Sequence, residues 1–267
     1  MKDGHIHTPY CPHGSKDVLK SYIEQAISSG YKSMTFTEHA PLPESFQDPV
    51  PDKDSAMDIR DVDQYISDLQ ELKKEYKKDL SILIGFEVDY IRGYENETKH
   101  FLDDYGPYLD DGILSVHFLE GNKAWYCLDF SPSMFQEATE DFGSIDRIYN
   151  TYFDHVTSSI QCDLGPFKPN RIGHMTLIRK FHELYPSPPN WERLATPVLQ
   201  AAKHHGMELD YNGAGTKKPH CNETYPTKSI AEHAIAMEIP LVYGSDAHHS
   251  LGIKQGYDKL SSKFFKS

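Results

Sequence analysis

Short apolar runs alternate along this chain with longer stretches in which apolar residues recur every three or four positions. Residues 1–7 form the first strand-like run. Val18, Leu19, Tyr22, Ile23, Ala26 and Ile27 then lie on one helical face, predicting a helix from an N-cap at Ser15 through Ser29, stopped by Gly30. Residues 31–37 are β-branched and aromatic, hence a strand, and it ends at Glu38-His39. Residues 40–57 are rich in Pro, Asp and Ser and predict a long loop, a feature that in a compact domain usually serves function. A charged amphipathic helix over 58–78 leads to a strongly apolar strand over 80–88.

The alternation continues. Helix 95–105 precedes strand 112–118, and Gly121-Asn122 predicts the turn of a small hairpin into 124–128. Helix 144–160 precedes strand 171–174, and helix 191–205, stopped by Gly206, precedes strand 207–211. Helix 227–238 leads to strand 240–245, and a last helix is expected after it. About seven β/α units, without linker or low-complexity sequence, predict an α/β fold with a parallel sheet. At 267 residues that number of units points to one barrel domain spanning 1–267.

Composition narrows the function. Forty acidic against 27 basic residues give a net charge of −13, which would repel a phosphate backbone, so no general nucleic-acid partner is expected. No apolar run approaches the roughly 18–20 residues of a membrane span, and no leader segment is expected before the first strand. Cys11, Cys127, Cys162 and Cys221 are scattered without a CxxC pair, which predicts free thiols in a reducing cytoplasm.

The candidate chemistry sits at strand ends. In an extended strand residues i and i+2 face one side, so His5-Ile6-His7 and Asp246-Ala247-His248 each aim two metal-type donors at one point. His13, His39, Glu87, His117 and His174 lie at or just past the ends of other predicted strands, the rim where β/α barrels gather functional groups. A single His-x-His arises easily by chance, and a lone buried histidine is more often a satisfied core residue; seven elements delivering such donors to one rim are not. Glu87, enclosed by Leu83, Ile84, Phe86 and Val88, would cost several kcal/mol if left unpaired, which favours a cation beside it. Among basic residues Arg171 is the first choice to hold an anionic substrate, with Arg179, Lys217 and Lys218 as further candidates. Asn212, in a flexible segment at a strand end, is suited to ligand contact. His100, His155, His182 and His233 are expected on solvated helix faces, and His249 is expected to point away from His248.

The ordered set of His-x-His, a further His, Glu-His, a strand Glu, two strand-end His and Asp-x-His resembles the polymerase and histidinol phosphatase (PHP) superfamily over nearly the whole chain. The strings Thr37-Glu38-His39-Ala40-Pro41, Arg171-Ile172-Gly173-His174 and Tyr243-Gly244-Ser245-Asp246-Ala247-His248 look like its histidinol-phosphatase branch. The resemblance implies a distorted (β/α)7 barrel and three divalent ions, with zinc, iron and manganese all compatible with mixed N/O donors. By it, His5, His7, Glu87 and Asp246 would hold one ion, Glu87, His117 and His174 a second, and His13, His39 and His248 a third. It further implies hydrolysis of a small phosphomonoester, L-histidinol phosphate. Glu87, Asp246 and Arg171 would then be catalytic, and Arg171, Asn212 and Lys217 would bind substrate. Loop 40–57, through Glu44, Phe46 and Asp48, is the expected selectivity element. The rivals are a phosphodiesterase or nuclease on the same metals, an amidohydrolase, and a metal-storing binding protein.

Overall fold

A computed structural model describes residues 1–266. Seven parallel strands form one sheet: β1 (Lys2–Ile6), β2 (Ser33–His39), β3 (Ser81–Asp89), β4 (Ile113–Ser115), β7 (Arg171–Ile172), β8 (Glu208–Asn212) and β9 (Leu241–Gly244), in that order. Its edges meet where Ile6 bridges Ala247, with His7 N–H donating to the Ala247 carbonyl at 3.1 Å and Asp246 N–H to His5 at 2.7 Å. The sheet is thereby curled into a nearly closed barrel. The helices α1 (Leu19–Ser28), α2 (Val62–Glu75), α3 (Glu95–Tyr105), α4 (Pro132–Phe142), α5 (Ile145–Gln161), α6 (Ala195–His205) and α7 (Lys228–Ala236) lie in the crossovers. A two-stranded antiparallel hairpin, β5 (Phe118–Glu120) and β6 (Trp125–Cys127), rises from the end of β4.

Period-two alternation divides each strand between two environments. Met34 and Phe36 of β2, with Ile82, Ile84, Phe86 and Val88 of β3, join the apolar core. Thr35, Thr37, Glu87 and Asp89 alternate with them and are also buried. The β2–β3 register sets His39 directly opposite Glu87, which fixes two candidate donors side by side. β7 is only two residues long and pairs through two residues on each side, the shortest pairing in the wall.

Four local expectations change. The first helix begins at Leu19 rather than after Ser15, with extended Val18 as its N-cap, while the Ser15 N–H is engaged by the His248 carbonyl at 2.8 Å. Helix α4 was not anticipated, although Ser131 caps Met134 N–H, Pro132 opens the helix and Gly143 closes it at φ +83°. The stretch before α6 is a 3-10 turn, Trp191–Leu194. After β9 the described residues hold only 3-10 turns, so the expected last helix is absent among them.

Candidate metal centre

The nine sequence-predicted donors converge at the carboxyl end of the barrel. Glu87 is the hub. Its Oε2 lies 3.1 Å from His5 Nε2, 3.4 Å from His7 Nε2 and 3.4 Å from His39 Nδ1. Its Oε1 lies 2.8 Å from His174 Nε2 and 3.7 Å from His117 Nε2, and accepts from Ser115 Oγ at 2.6 Å. One carboxylate therefore spans two groups of imidazoles. Asp246 Oδ1 stands 3.1 Å from His7 Nε2 and 3.5 Å from His248 Nδ1. The His248 ring stacks on His7 at 3.9 Å, and exposed His13 completes the rim with its ring centroid 5.2 Å from those of His39 and His248.

The Asp-x-His pair reaches the centre by a route other than an extended strand. β9 stops at Gly244, and Asp246 adopts φ +53°, a left-handed backbone that carries strain for a residue with a Cβ. Its N–H bond to His5 and the bridge at Ala247 hold it there.

Three carboxylates that sequence reasoning passed over orient the rings. His5 Nδ1 donates to Asp210 Oδ2 at 2.7 Å, His7 Nδ1 to Glu38 Oε1 at 3.1 Å and His117 Nδ1 to Asp89 Oδ1 at 2.7 Å. In each case Nε2 is left as the lone-pair atom facing the centre. The signal was present, since Glu38 adjoins His39, Asp89 follows Glu87 by one strand period, and Asp210 interrupts an apolar strand. Asp210→Asn is expected to weaken metal affinity by roughly 10- to 100-fold, measured by competition against a chelating dye, while the fold persists.

This donor set fits divalent cations. His5 Nε2 and His7 Nε2 face one another at 3.2 Å beside the Glu87 carboxylate, with both Nδ1 atoms already committed, an arrangement that would suit a cation. His39 Nδ1 and His174 Nδ1 are buried without a hydrogen-bond partner. Ligand-type atoms fall within 4.8 Å of one another in the groups His5, His7, Glu87 and His39, Glu87, His117, and again in His7, Cys11, His39, His248. Without metal, protons fill part of this role. Burial opposes charge on His7, yet hydrogen bonds to Asp246 and Glu38 carry its pKa up to about 9; Asp89 likewise lifts His117 to about 10 against its burial. Burial and the neighbouring charged His7 hold His39 and His248 well below the usual range. Metal must displace those protons, so loading weakens as pH falls.

A cavity of about 380 Å³ opens over the cluster. Among the expected substrate-contacting residues, the structure moves several away from it. Arg171 is fully buried inside the barrel, ion-paired with Asp111, which also meets Lys2 and Thr35 at the opposite end of the strands. A Cβ at Gly4 would collide with its guanidinium, so that glycine makes the room. Arg171 is therefore corrected from a catalytic and substrate-binding residue to a structural one. Asn212 donates to Asp210 at 3.1 Å and Asp246 at 3.2 Å, supporting donors rather than lining the cavity. Lys217 is exposed and outside the lining, near Asp258. Arg179 is engaged by Glu223. In loop 40–57, Phe46 is buried with Val50 and Phe118, Asp48 caps Val50 and Ser55, and Glu44 is exposed; Val50, Asp54 and Ser55 are the loop residues that line the cavity. His249, expected to face away, lines it, as do Lys180, Lys218 and Asp129. His155 is buried rather than solvated, its Nδ1 donating to the Thr151 carbonyl.

A parallel β/α barrel of seven strands whose carboxyl rim carries a histidine–carboxylate cluster defines a class of metal-binding barrels, and the chain belongs to the PHP-domain family, whose pattern matches residues 3–214. Among its relatives is the histidinol-phosphatase of Bacillus subtilis (strain 168), 47% identical over 259 residues, covering 96% of this chain and 97% of that protein. A crystal structure of a provisionally assigned histidinol phosphatase from Listeria monocytogenes matches with TM-score 0.93 at 38% identity, over 98% of this chain and 100% of that one. The histidinol phosphate phosphatase of Lactococcus lactis subsp. lactis Il1403, solved with zinc, L-histidinol and phosphate, matches with TM-score 0.69 over 96% of this chain and 91% of that one. At 17% identity that last likeness is one of fold.

Proposed function

We infer that this chain, acting as one domain, hydrolyses L-histidinol phosphate to L-histidinol and inorganic phosphate, a step of histidine biosynthesis. The observation that carries the reading is the Glu87 carboxylate set between two imidazole groups beneath a small-molecule cavity, in a chain 47% identical to a histidinol-phosphatase over nearly its full length. Three divalent ions would be held by His5, His7, Glu87 and Asp246; by Glu87, His117 and His174; and by His13, His39 and His248. The position of Glu87, with one oxygen toward each imidazole group, supports its bridging part. Zinc, iron and manganese suit this N/O set. The four cysteines are free thiols, which supports a cytoplasmic setting.

Bound ions supply Lewis-acid activation of water and offset phosphoryl charge. The chain's own residues do the rest. Glu38, Asp89 and Asp210 fix the rings of His7, His117 and His5 so that no reorganisation is needed when the phosphoryl group arrives. The cavity lining also holds the Asp54 carboxylate and the rings of Phe118 and Phe130, surroundings suited to the ammonium and imidazole of histidinol. The phosphate end then faces the cluster and the organic cation faces the acidic wall, which places the scissile P–O bond at the floor. A nucleic-acid diester would bring a second anionic phosphate against that acidic wall.

The test is a panel of kcat/KM values for L-histidinol phosphate, several other phosphomonoesters and one diester. L-Histidinol phosphate is expected to lead by about 100-fold or more, as befits a site that pairs with a substrate's polar groups. Comparable turnover of the diester would overturn the assignment in favour of a phosphodiesterase.

A further inference from the structure

With Arg171 committed to the opposite end of the barrel, the question is which cation meets the phosphate. A phosphomonoester dianion entering this cavity passes Asp54, Asp89, Asp129, Glu87 and Asp246 in its walls and floor. Lys180 and Lys218 are the lysines in the described lining. Lys218 is exposed at the mouth, whereas Lys180 is largely enclosed, its side chain 18% accessible. The Lys180 ammonium donates to Asp129 Oδ2 at 2.9 Å and to the Asp129 carbonyl at 2.5 Å. An ammonium has three protons, so one remains for a further acceptor.

Both partners are tied to segments that carry candidate metal ligands. Lys180 closes the turn that begins at His174, whose carbonyl accepts from Leu177 N–H at 2.8 Å, with Lys180 N–H then donating to Leu177 at 2.8 Å. Asp129 follows Leu128, whose N–H donates to the His117 carbonyl at 2.9 Å. Lys180 and Asp129 line the same cavity as His117, His174, Glu87 and Asp246, so the pair shares the space above the cluster.

We propose that Lys180 is the phosphate-binding cation of this site and that Asp129 is its positioning residue. The inference rests on the phosphomonoesterase reading and names the residue through which it operates. Lys180 contributes one charge-assisted hydrogen bond to a non-bridging phosphoryl oxygen, while Asp129 keeps the ammonium from collapsing onto Glu87 or Asp246 in the substrate-free protein.

The experiment compares metal-loaded wild type with Lys180→Met, Lys180→Arg, Asp129→Asn and Lys217→Met. For each, KM and kcat for L-histidinol phosphate and the inhibition constant of inorganic phosphate are measured. Lys180→Met is expected to raise both KM and the phosphate inhibition constant by roughly 10- to 100-fold, the loss of one hydrogen bond to a charged group. Lys180→Arg should restore most of that loss, Asp129→Asn should shift both constants in the same direction by less, and Lys217→Met should leave them unchanged. Lys180→Gln repeats the charge deletion if the Met variant does not fold. Constants within about twofold of wild type in a folded, metal-loaded charge-deletion variant overturn the proposal. Should wild type release no phosphate from L-histidinol phosphate, the functional reading fails separately, and calorimetric binding of inorganic phosphate to the same proteins still decides the role of Lys180.

Discussion

Glu87→Gln is expected to lower kcat by at least about 10³ and to reduce the metal bound per chain. The magnitude follows from the several kcal/mol of charge stabilisation that bound ions supply, since each 1.36 kcal/mol is a factor of ten in rate. The substitution keeps the shape of the side chain and removes its charge from between His5, His7 and His39 on one side and His174 and His117 on the other. It also replaces an anionic metal donor with a neutral amide, whose oxygen is the weaker ligand for a cation. Burial works against ionisation of Glu87, but the charge of His5 and the hydrogen bonds from His174 and His5 hold its pKa well below the carboxylate range, so it is ionised throughout the working pH range. Phosphate-release kinetics with elemental analysis of the same samples check both effects. Activity within tenfold of wild type at full metal content would show that Glu87 does not join the two groups.

Arg171→Met is expected to do the reverse: to cost stability and spare chemistry. Removing one partner of a buried pair leaves Asp111 with an uncompensated charge, typically a loss of about 3–5 kcal/mol, or a Tm lower by roughly 10 °C for a chain of this size. Thr35 and Lys2 also meet Asp111, and they soften the loss without replacing the guanidinium. At 25 °C the folded fraction should keep kcat and KM near wild type, because the residue lies away from the cavity. The pair also shapes the acid limb of stability. Burial opposes charge on Asp111, but Arg171 brings its folded pKa below the ordinary value. Its contribution is thus complete above about pH 4 and is lost as pH falls through that lowered pKa, and the variant should show a flatter acid limb. Thermal melts across pH beside kinetics at low temperature read both arms. A normal melt with lost turnover would return Arg171 to the active site.

The two residues mark what could be read from sequence and what could not. The donors were legible because strand periodicity and strand ends are local properties: His5 and His7 lie one strand period apart, and Glu87 stands inside a strongly apolar run. The barrel was legible for the same reason, since each β/α unit carries its own periodicity. Depth along the barrel axis was not. Arg171 precedes His174 by three residues, yet β7 ends at Ile172 and the two side chains serve opposite ends of the barrel. Loop 40–57 was expected to select substrate through Glu44, Phe46 and Asp48, but its composition does not say that Phe46 and Asp48 turn inward to hold the loop while Val50, Asp54 and Ser55 face the cavity. Asp246 reaches the cluster through a left-handed backbone that no alternation pattern encodes. Lys180 escaped notice because its place depends on the crossover that carries the hairpin, α4 and α5 past β4, a purely tertiary circumstance.

The most direct test of the whole account is to strip the protein of metal, reload it stepwise with zinc, iron or manganese, and follow phosphate release from L-histidinol phosphate against metal bound per chain. The account predicts an inactive stripped protein that keeps its fold and regains turnover in step with loading, reaching its plateau at three ions. Undiminished turnover without metal, or full loading with no phosphate released, would contradict it.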